Sequence, residues 1–411
     1  MTASGRATDE DVAAQNRGLD EDYADLKAVL AGLAASEPST IDDEHLDPGR
    51  NYLGALAEGG WFVPTWPAGM GGRGADKAEA ARIQSLTRAQ PAPDLYPFFV
   101  GLHMIGPTLL QYGNQHQQAR WLKRIADGRD IWCQMFSEPG AGSDLANVST
   151  RAVRTEGGWR LDGQKVWTSR AAYADWGLCL ARTDPDVVKH AGLSMFVVPM
   201  KSAGVTVRPL HQMNGDDHFS EVFLDSVEIG DENRLGEVGA GWQIALTVLA
   251  FERSSIAVSA SSGRGTRRDS GQRAPAWLRT SADAGLLDDP VRRDEAIAVF
   301  INAEVARLTS ARAAAQAKKR RGPGTEGSGQ KVRLANSAKQ RAYLLKDLQG
   351  AEGMLTTHRG HDAAMTAPSL SLRGGTDEIQ RNIIAERVLG LPPEPRSDRD
   401  VPWSVSKRGL A

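Results

Sequence analysis

Two short blocks of the sequence hold the residue types that a cofactor site needs. One block, Met135–Asp144, reads MFSEPGAGSD, and the other, Gln164–Ser169, reads QKVWTS. Gly140 and Gly142 in the first block leave backbone N–H groups uncovered, so a diphosphate can approach them closely. The pattern therefore predicts a loop that can bind the phosphates of a nucleotide cofactor.

Side chains in both blocks suit a flavin in particular. Ser137 and Ser143 supply hydroxyls, and Trp167 supplies a flat ring that can lie against an isoalloxazine. Ser169 follows two residues later and is expected on the same face of an extended strand. A Gly/Ser loop without further context is more often an ordinary turn. The residues alone leave both interpretations open.

A carboxylate further along the chain has the surroundings of a general base. After Trp242, apolar residues recur at three- and four-residue spacing and predict one buried stripe of a helix: Ala245, Val248, Leu249 and Ile256. Glu252 falls on this stripe, where burial should raise its pKa from the ordinary ~4.3 toward neutrality. Such a pKa suits a general base. The alternative is a glutamate that pairs with a buried arginine.

The elements that must position these groups follow one another in the order helical, β, helical. Helical periods dominate residues 19–131, short β-like runs dominate 132–240, and long amphipathic patterns dominate 241–395. Closely spaced strands suggest a compact barrel or sandwich, and long helices joined by loops suggest a four-helix bundle. The sequence predicts a mainly α fold with a central β domain. Residues 1–18 are expected to be a disordered tail, and 396–411 a C-terminal tail.

Individual elements can be assigned within this outline. Glu156–Gly158 is predicted to turn a hairpin. Strands are predicted at Trp176–Ala181, Leu193–Val198, Val205–Pro209 and Glu221–Val227, and bundle helices at Trp242–Ser261, Asp294–Lys319, Gln330–Gln349 and Asp377–Val388. Two polar insertions, Arg264–Arg279 and Arg320–Gly329, are interpreted as solvated loops and not as nucleic-acid patches.

Bulk properties exclude several classes of function. The 411 residues are 41% hydrophobic and 24% charged, as in ordinary globular proteins. A net charge of −2 gives no electrostatic reason to expect nucleic acid or an anionic membrane as partner. Cys133 and Cys179 are too few for a disulfide framework, lack metal-ligand spacing and are expected to be core thiols. No metal is expected. No signal peptide or membrane span is visible, so the expected location is the cytoplasm.

The run FSEPGAGSDLA, answered by the block that contains Trp167, resembles the signature of the acyl-CoA dehydrogenase family, of the FadE kind abundant in actinobacteria. The resemblance extends from Pro64–Pro67 to Leu389–Pro392. It implies an N-terminal helical domain, a middle β-barrel and a C-terminal four-helix bundle. It also implies FAD as cofactor, an acyl-CoA substrate, an electron-transfer flavoprotein as partner, and a homotetramer or a heterotetramer with a related subunit.

The same resemblance bears on the base. In most of the family the base is a Glu directly before a Gly-Thr pair, and here Gly374 occupies that position. A minority, similar to isovaleryl-CoA and long-chain acyl-CoA dehydrogenases, carries the base on the first bundle helix in a Leu-Glu-Arg motif. Phe251–Arg253 matches that motif, so Glu252 is the implied catalytic base.

Further contacts are implied by resemblance alone. FAD contacts are expected for Met135, Ser137, Gly142, Ser143, Trp167, Ser169, Gly350, Thr376 and Glu378. Substrate contacts are expected for Ser143, Arg253 and Gly375, with Ser143 at the pantetheine arm. Gly350 lies in Leu348–Gly353, where the FAD adenosine of a neighbouring subunit would lie. Asp347 stands where Gln is usual, which puts that contact in question.

One family feature is missing from the chain. The family normally carries Arg-x-x-Phe-Gly after the base helix, and its Arg reaches the FAD diphosphate of another subunit. Nothing between Gly263 and Asp294 fits this pattern. An Arg of the Arg264–Arg279 loop is one substitute, and a partner subunit is another. A flavin monooxygenase or nitroso-forming oxidase on the same fold, and a non-catalytic subunit, remain alternatives; acyl chain length and branching cannot be read.

Overall fold

The computed structural model describes residues 23–33, 46–261, 274–317, 326–356, 359–395, 398 and 400–407. These residues form two compact units. The first holds the described residues up to Gln134 together with Tyr173–Leu178 and Val197–Lys201. The second holds Met135–Ala172, Cys179–Phe196 and the described residues from Ser202 onward. Both predicted cofactor blocks and the predicted base belong to the second unit.

Helices build most of the first unit. They are α1 (Ala24–Leu33), α2 (Leu46–Glu58), α3 (Lys77–Arg88), a π-helix (Gly101–Ile105), α4 (Gly106–Tyr112) and α5 (Gln115–Ala126). Asn114 and Gln117 form a reciprocal capping box at the start of α5, which satisfies two helix-end N–H groups. Apolar faces meet in a core formed by Tyr23, Leu26, Leu30, Tyr52, Leu56, Trp61 and Ile83. The helical prediction for this stretch is confirmed.

A mixed eight-stranded sheet follows. Its strands are β1 (Trp132–Met135), β2 (Arg151–Thr155), β3 (Gly158–Ser169), β4 (Trp176–Arg182), β5 (Leu193–Pro199), β6 (Val205–Leu210), β7 (Phe219–Gly230) and β8 (Arg234–Leu235). The order is β6-β7-β3-β2-β4-β5-β8, with β1 paired to β4. In the predicted hairpin, Thr155 pairs with Gly158. The four predicted strands are present, each one to five residues longer than expected.

Long helices make up the rest of the second unit. They are α6 (Gly241–Ser261), α7 (Ala276–Asp283), α8 (Pro290–Ala317), α9 (Glu326–Leu348), α10 (Arg359–Thr366), α11 (Asp377–Arg387) and α12 (Trp403–Ser406). Helix α9 contacts α6, α8, α10 and α11 and is therefore the central member of the bundle. Part of the core consists of Leu278, Leu287, Ala296, Val299, Leu344 and Leu348. The predicted fold class is confirmed.

Some predictions fall at the edges of the described chain. Residues 1–18, 264–273 and 320–325 lie outside it. Residues 276–279 were expected in a solvated loop, but they begin α7. Residues 326–329 were also expected in a solvated loop, but they form the first turn of α9. Ser328 in this turn is buried, and packing of this kind outweighs the low helix propensity of neighbouring glycines. Residues 400–407, expected in a C-terminal tail, contain α12 and make side-chain contacts with the sheet region.

Three further observations concern the described residues. Cys133 and Cys179 are both fully buried free thiols, as predicted. No helix in the described part of the chain has the length and apolarity that a bilayer span requires. Within the same residues, no group of three or more His, Cys, Asp and Glu side chains is arranged to hold a metal ion.

Candidate active site

The first predicted block folds as a tight turn whose outer face is open. Glu138 and Ala141 exchange two backbone hydrogen bonds of 3.0 Å, which closes the turn around Pro139 and Gly140. A Cβ built on Gly140 or Gly142 would meet no protein atom within 4 Å. The folded chain therefore does not itself require these glycines. The space beside them is free for a ligand that approaches the backbone.

The second block lies directly beside the first. The Val166 N–H donates a 2.9 Å hydrogen bond to the carbonyl oxygen of Ser137. This bond places Trp167 next to the turn, so the structure brings the two blocks together. Ser137 and Ser169 are partly buried, whereas Ser143 is exposed.

A buried ion pair fixes the two blocks to each other. The Lys165 side chain is fully buried, and its Nζ donates to Glu138 Oε1 at 2.9 Å and to two backbone carbonyl oxygens at 2.7 and 3.2 Å. Glu138 also accepts from the N–H groups of Ser149 and Thr150 at 2.6 and 2.8 Å. Burial opposes ionisation of Glu138, yet Lys165 and these hydrogen bonds hold its pKa below the ordinary value. The pair is therefore charged and saturated with partners.

The backbone at Trp167 corrects the prediction that Trp167 and Ser169 lie on the same face of a regularly extended strand. Trp167 has φ 60°, and the pairing of β3 with β7 shifts register between Lys165 and Thr168. The strand is therefore not regularly extended at this residue, because a bulge turns the backbone there. Trp167 is 60% exposed, and its ring meets Phe219 edge-on at 5.9 Å. The exposed ring is available to cover a ligand and is not part of the core.

The remaining residues of the two blocks differ in what they can offer. Met135 is fully buried, so its side chain is part of the core in this structure. Gly142 is exposed next to Ser143. An open turn backbone, neighbouring hydroxyls and an exposed indole ring together fit the diphosphate and the ring system of a flavin nucleotide.

The predicted base lies on α6. Glu252 is partly buried and makes no hydrogen bond or ion pair with any residue whose side chain the structure describes. Burial raises its pKa above the ordinary value, and the charges of Arg253 and Arg373 oppose that rise. Arg373 directly precedes Gly374, so one of the charges that act on Glu252 belongs to the Gly374 loop.

Arg253, the predicted substrate contact beside the base, is also partly buried. Burial lowers the pKa of its guanidinium, the carboxylate of Glu252 opposes this shift, and the charge of Arg387 adds to it. An arginine remains protonated in spite of such a shift. The positive charge therefore stays beside Glu252 and favours the ionised carboxylate.

The loop before α11 has a backbone that suits glycine. Gly374 has φ 69° and Gly375 has φ 85°, so a side chain at either position would be strained. A Cβ on Gly375 would also lie 2.4 Å from Gln380 Nε2. Thr376 is the N-cap of α11, and its hydroxyl accepts from the Ile379 N–H at 3.3 Å. Glu378, one residue into α11 beyond its start, is exposed.

Buried polar contacts that were not predicted from the sequence support this loop. Asp377 accepts hydrogen bonds from Lys331 Nζ at 2.8 Å and from Ser371 Oγ at 2.7 Å. Lys339 Nζ donates to the same Ser371 hydroxyl at 2.6 Å. Two lysines of α9 therefore anchor the start of α11. Lysines spaced by eight residues on one helix face were the available signal, but an exposed face has the same spacing.

Gly350 does not lie near the Gly374 loop. It has φ 56°, is exposed and begins a 3₁₀ turn just after α9 ends. Leu348, the last residue of α9, lies about 14 Å along the helix axis from Lys339, which contacts the α11 loop. Gly350 thus lies away from the loop at Gly374.

Comparison with known proteins gives these residues a family context. Three family models match consecutive parts of the chain: the acyl-CoA dehydrogenase N-terminal domain at residues 25–129, the middle domain at 133–227 and the C-terminal domain at 239–389. The cofactor blocks lie in or between the first strands of the middle domain. Glu252 and the Gly374 loop both lie in the C-terminal domain.

Individual relatives agree with the family models. The acyl-CoA dehydrogenase IpdE1 of Mycobacterium tuberculosis is 36% identical over 94% of this chain and 98% of its own length. FadE34 of the same organism is 38% identical over 89% of this chain, and the match spans about half (49%) of its length.

Solved structures of the same fold also match most of the chain. The structure named Tcur3481-Tcur3483 steroid ACAD is 26% identical, with a TM-score of 0.73 over 92% of this chain and 98% of that one. The ChsE4-ChsE5 complex from Mycobacterium tuberculosis is 28% identical, with a TM-score of 0.67 over 96% of this chain and 100% of that one. The chain therefore belongs to the acyl-CoA dehydrogenase family of FAD-dependent oxidoreductases.

Proposed function

We propose that the protein oxidises an acyl-CoA thioester to the trans-2-enoyl-CoA, with Glu252 as the base. The carboxylate of Glu252 takes the α-proton while a hydride leaves the β-carbon, so the substrate loses two hydrogens and gains one double bond. Bound FAD supplies the hydride acceptor. The observation that carries this proposal is a carboxyl group with a burial-raised pKa near the Gly374 loop.

The electrostatics around Glu252 suit this role. A base works best when its pKa is near the working pH, and burial moves a carboxyl in that direction. The charges of Arg253 and Arg373 oppose the rise in the pKa of Glu252.

The two cofactor blocks would hold the flavin and the thioester. Met135, Ser137, Gly142, Ser143, Trp167 and Ser169 are proposed to contact FAD, with Ser143 also at the pantetheine arm. In this proposal Trp167 excludes water from one face of the ring system. From the bundle, Thr376 and Glu378 are proposed flavin contacts, and Gly375 and Arg253 are proposed substrate contacts. Reduced FAD would pass its electrons to an electron-transfer flavoprotein.

The direct test is anaerobic bleaching of the flavin absorption by a panel of acyl-CoAs. The panel should include straight, branched and steroid-derived acyl groups, because one solved neighbour is named a steroid ACAD. Rapid bleaching by at least one thioester, with formation of the enoyl product, is expected. A flavin that no thioester bleaches, but that NAD(P)H reduces and O₂ reoxidises, would instead support the monooxygenase alternative.

A heteromeric enzyme is the second candidate, and one surface favours assembly. Four apolar residues lie exposed on one face of α8: Ile297, Ile301, Val305 and Leu308. A contiguous exposed apolar row is a feature of protein–protein interfaces. One matching structure is the ChsE4-ChsE5 complex, in which two different chains are named. Because Arg-x-x-Phe-Gly is absent, we propose a two-plus-two tetramer with a related subunit that supplies this arginine.

FAD content and native mass of the chain expressed alone separate the two assemblies. Charge-assisted contacts to phosphate contribute about 1.5–3 kcal/mol, or roughly ten- to a hundredfold in FAD affinity. The heteromer therefore predicts a chain that purifies short of FAD and gains it with its partner. A homotetramer with one tightly held FAD per chain and full turnover would contradict it.

A further inference from the structure

The C-terminal segment, residues 398 and 400–407, lies beyond the matched C-terminal domain, which ends at residue 389. It packs against Asn147, which follows the first cofactor block, and against the Pro185–Val187 backbone. The Trp403 Nε1–H donates a 2.8 Å hydrogen bond to Asn147 Oδ1. Its backbone N–H donates to the Val187 carbonyl at 2.8 Å, and the Ser404 N–H donates to the Pro185 carbonyl at 2.8 Å. The segment is therefore attached through both backbone and side chains.

A buried arginine lies beneath the Trp403 ring. The guanidinium carbon of Arg182 is 4.3 Å from the ring centroid, and Arg182 is only 3% exposed. Arg182 donates to the carbonyl oxygens of Ala146 and Val148 at 2.6 and 3.2 Å. A buried cation is costly unless carbonyl dipoles or an aromatic face compensate it. Trp403 is thus part of what lets Arg182 hold the 146–148 backbone.

A second contact joins the segment to the same turn. Lys189 Nζ lies 3.0 Å from both carboxylate oxygens of Asp144 and 2.6 Å from Asp398 Oδ2. One lysine therefore bridges the C-terminal segment and the residue that follows Ser143. Asp144, Ala146, Asn147 and Val148 are all contacted by Trp403, Arg182 or Lys189, and they directly follow Gly142 and Ser143.

We propose that the C-terminal segment positions the turn at 144–148 and thereby sets how tightly the site binds its acyl-CoA thioester. Trp403 and Asp398 are positioning residues in this proposal, because they act through Arg182, Asn147 and Lys189 and do not touch the ligand. The effect on the thioester rests on the proposed function, since Ser143 is the proposed pantetheine contact. The effect on the turn itself does not.

Three variants test the proposal. Deletion of residues 396–411 removes the whole segment. Trp403→Phe keeps an aromatic face over Arg182 but loses the Nε1–H bond to Asn147, and it keeps the test available should the deletion fail to fold. Deletion of residues 408–411 leaves every contact described above and is the matched control.

Amide hydrogen exchange is the first readout, because it needs no substrate. The Asn147 and Val148 N–H groups are bonded to Asp144 and Leu145 carbonyls. They should exchange faster in Trp403→Phe and faster still without residues 396–411, while β7 amides stay unchanged. Unchanged exchange at 145–148 in both variants would overturn the proposal whatever the enzyme's reaction is.

The kinetic readout is the division of the effect between KM and kcat. One lost hydrogen bond corresponds to roughly a two- to tenfold change in an equilibrium constant. Trp403→Phe should raise KM for the thioester by about this factor, with kcat and FAD content near those of the control. Faster exchange at 145–148 with unchanged KM would show a merely structural contact and would also overturn the proposal.

Discussion

Glu138 and Glu252, both in the second unit, have surroundings that shift their pKa values in opposite directions. Glu138 receives an ammonium group and two backbone N–H groups, and its pKa lies below the ordinary value. Glu252 has no such bonds within the described side chains, and burial moves its pKa upward. The surroundings of Glu138 favour its ionised form, whereas burial of Glu252 favours its protonated form.

This difference matches the tasks proposed for the two regions. A cofactor turn must keep one geometry through many turnovers, and a saturated buried network does this because any opening leaves unpaired charges. A base must be able to gain and lose a proton, which a saturated network would prevent. Residues of one type therefore serve opposite roles when their hydrogen-bond partners differ.

Changing the base should produce the largest effect. Glu252→Gln keeps the shape of the side chain and removes its proton-accepting group. Flavin reduction by acyl-CoA should slow by ~10²–10⁴-fold, while FAD content stays unchanged. Stopped-flow bleaching with the best thioester of the panel measures this rate. A variant that reduces its flavin at nearly the wild-type rate would remove Glu252 from the mechanism.

The raised pKa of Glu252 also predicts two pH dependences. The ionised base is lost as pH falls through the raised pKa, so kcat/KM should fall with it.

The same shift affects stability. Between the pKa of Glu252 in the unfolded chain and its raised pKa in the native state, the native state binds more protons than the unfolded state, so Glu252 lowers stability as pH rises through that window. Glu252→Gln should therefore gain thermal stability relative to wild type at neutral pH and not at pH 4. An equal difference at both pH values would contradict the assignment.

Breaking the buried pair should produce the next largest effect, on stability. Lys165→Met leaves the Glu138 carboxylate buried with its two backbone donors only. Removal of one partner of such a pair costs about 3–5 kcal/mol. Arg151→Met on the neighbouring strand is the control, because Arg151 is exposed and its 3.6 Å pair with Asp162 should contribute less than about 1 kcal/mol.

Thermal unfolding of both variants, with the flavin spectrum recorded in parallel, measures this difference. Lys165→Met should unfold at a distinctly lower temperature and lose flavin, and addition of Glu138→Gln should recover part of the loss. Equal unfolding temperatures for Lys165→Met and Arg151→Met would mean that the buried pair does not hold the cofactor blocks together.

The exposed indole is expected to have a smaller effect, limited to the cofactor. Trp167→Ala removes the ring that is proposed to cover the isoalloxazine and should weaken FAD binding by about tenfold. Trp167→Phe keeps a flat ring and should retain most of the affinity. Flavin retained after gel filtration, and the resemblance of its absorption spectrum to that of free FAD, report the change. Full retention in the alanine variant would separate Trp167 from the flavin.

Much of the architecture was readable because it follows from hydrophobic period. The hairpin at Thr155–Gly158 and the bundle helices lie within a few residues of the positions that the pattern predicted. The two cofactor blocks were paired through their resemblance to the acyl-CoA dehydrogenase signature, because a Gly/Ser loop alone is more often an ordinary turn. Hydrophobic period and residue composition are properties of neighbouring residues, so they can be read without knowledge of tertiary contacts.

The remaining features depend on contacts between residues that are distant in sequence. Lys165 and Glu138 look like surface residues until both are placed inside the fold, 27 positions apart. Trp403 and Asn147 are 256 positions apart, and no local pattern predicts their hydrogen bond. The bulge at Trp167 likewise arises from pairing with β7. Burial of a polar side chain is a tertiary property, and a single sequence does not contain it in readable form.

Substitution of Thr376, the helix cap beside the Gly374 loop, should have the smallest effect of these changes. Thr376 caps α11 through a 3.3 Å bond from the Ile379 N–H. Thr376→Ala should lower stability by about 0.5–2 kcal/mol, and Thr376→Ser should cost little because it keeps the hydroxyl. Thermal unfolding of the two variants measures this cost.

Flavin reduction by acyl-CoA distinguishes a cap from a cofactor contact. Because the Thr376 oxygen accepts the Ile379 bond, its hydroxyl proton is free to point at a flavin atom. Thr376→Ala should then slow flavin reduction beyond what its stability loss explains, and Thr376→Ser should restore the rate. If both variants reduce flavin at the wild-type rate while only the alanine variant is destabilised, Thr376 is a cap alone. The base region would then act on the substrate through Glu252 and its arginines, without a contact to the flavin from this threonine.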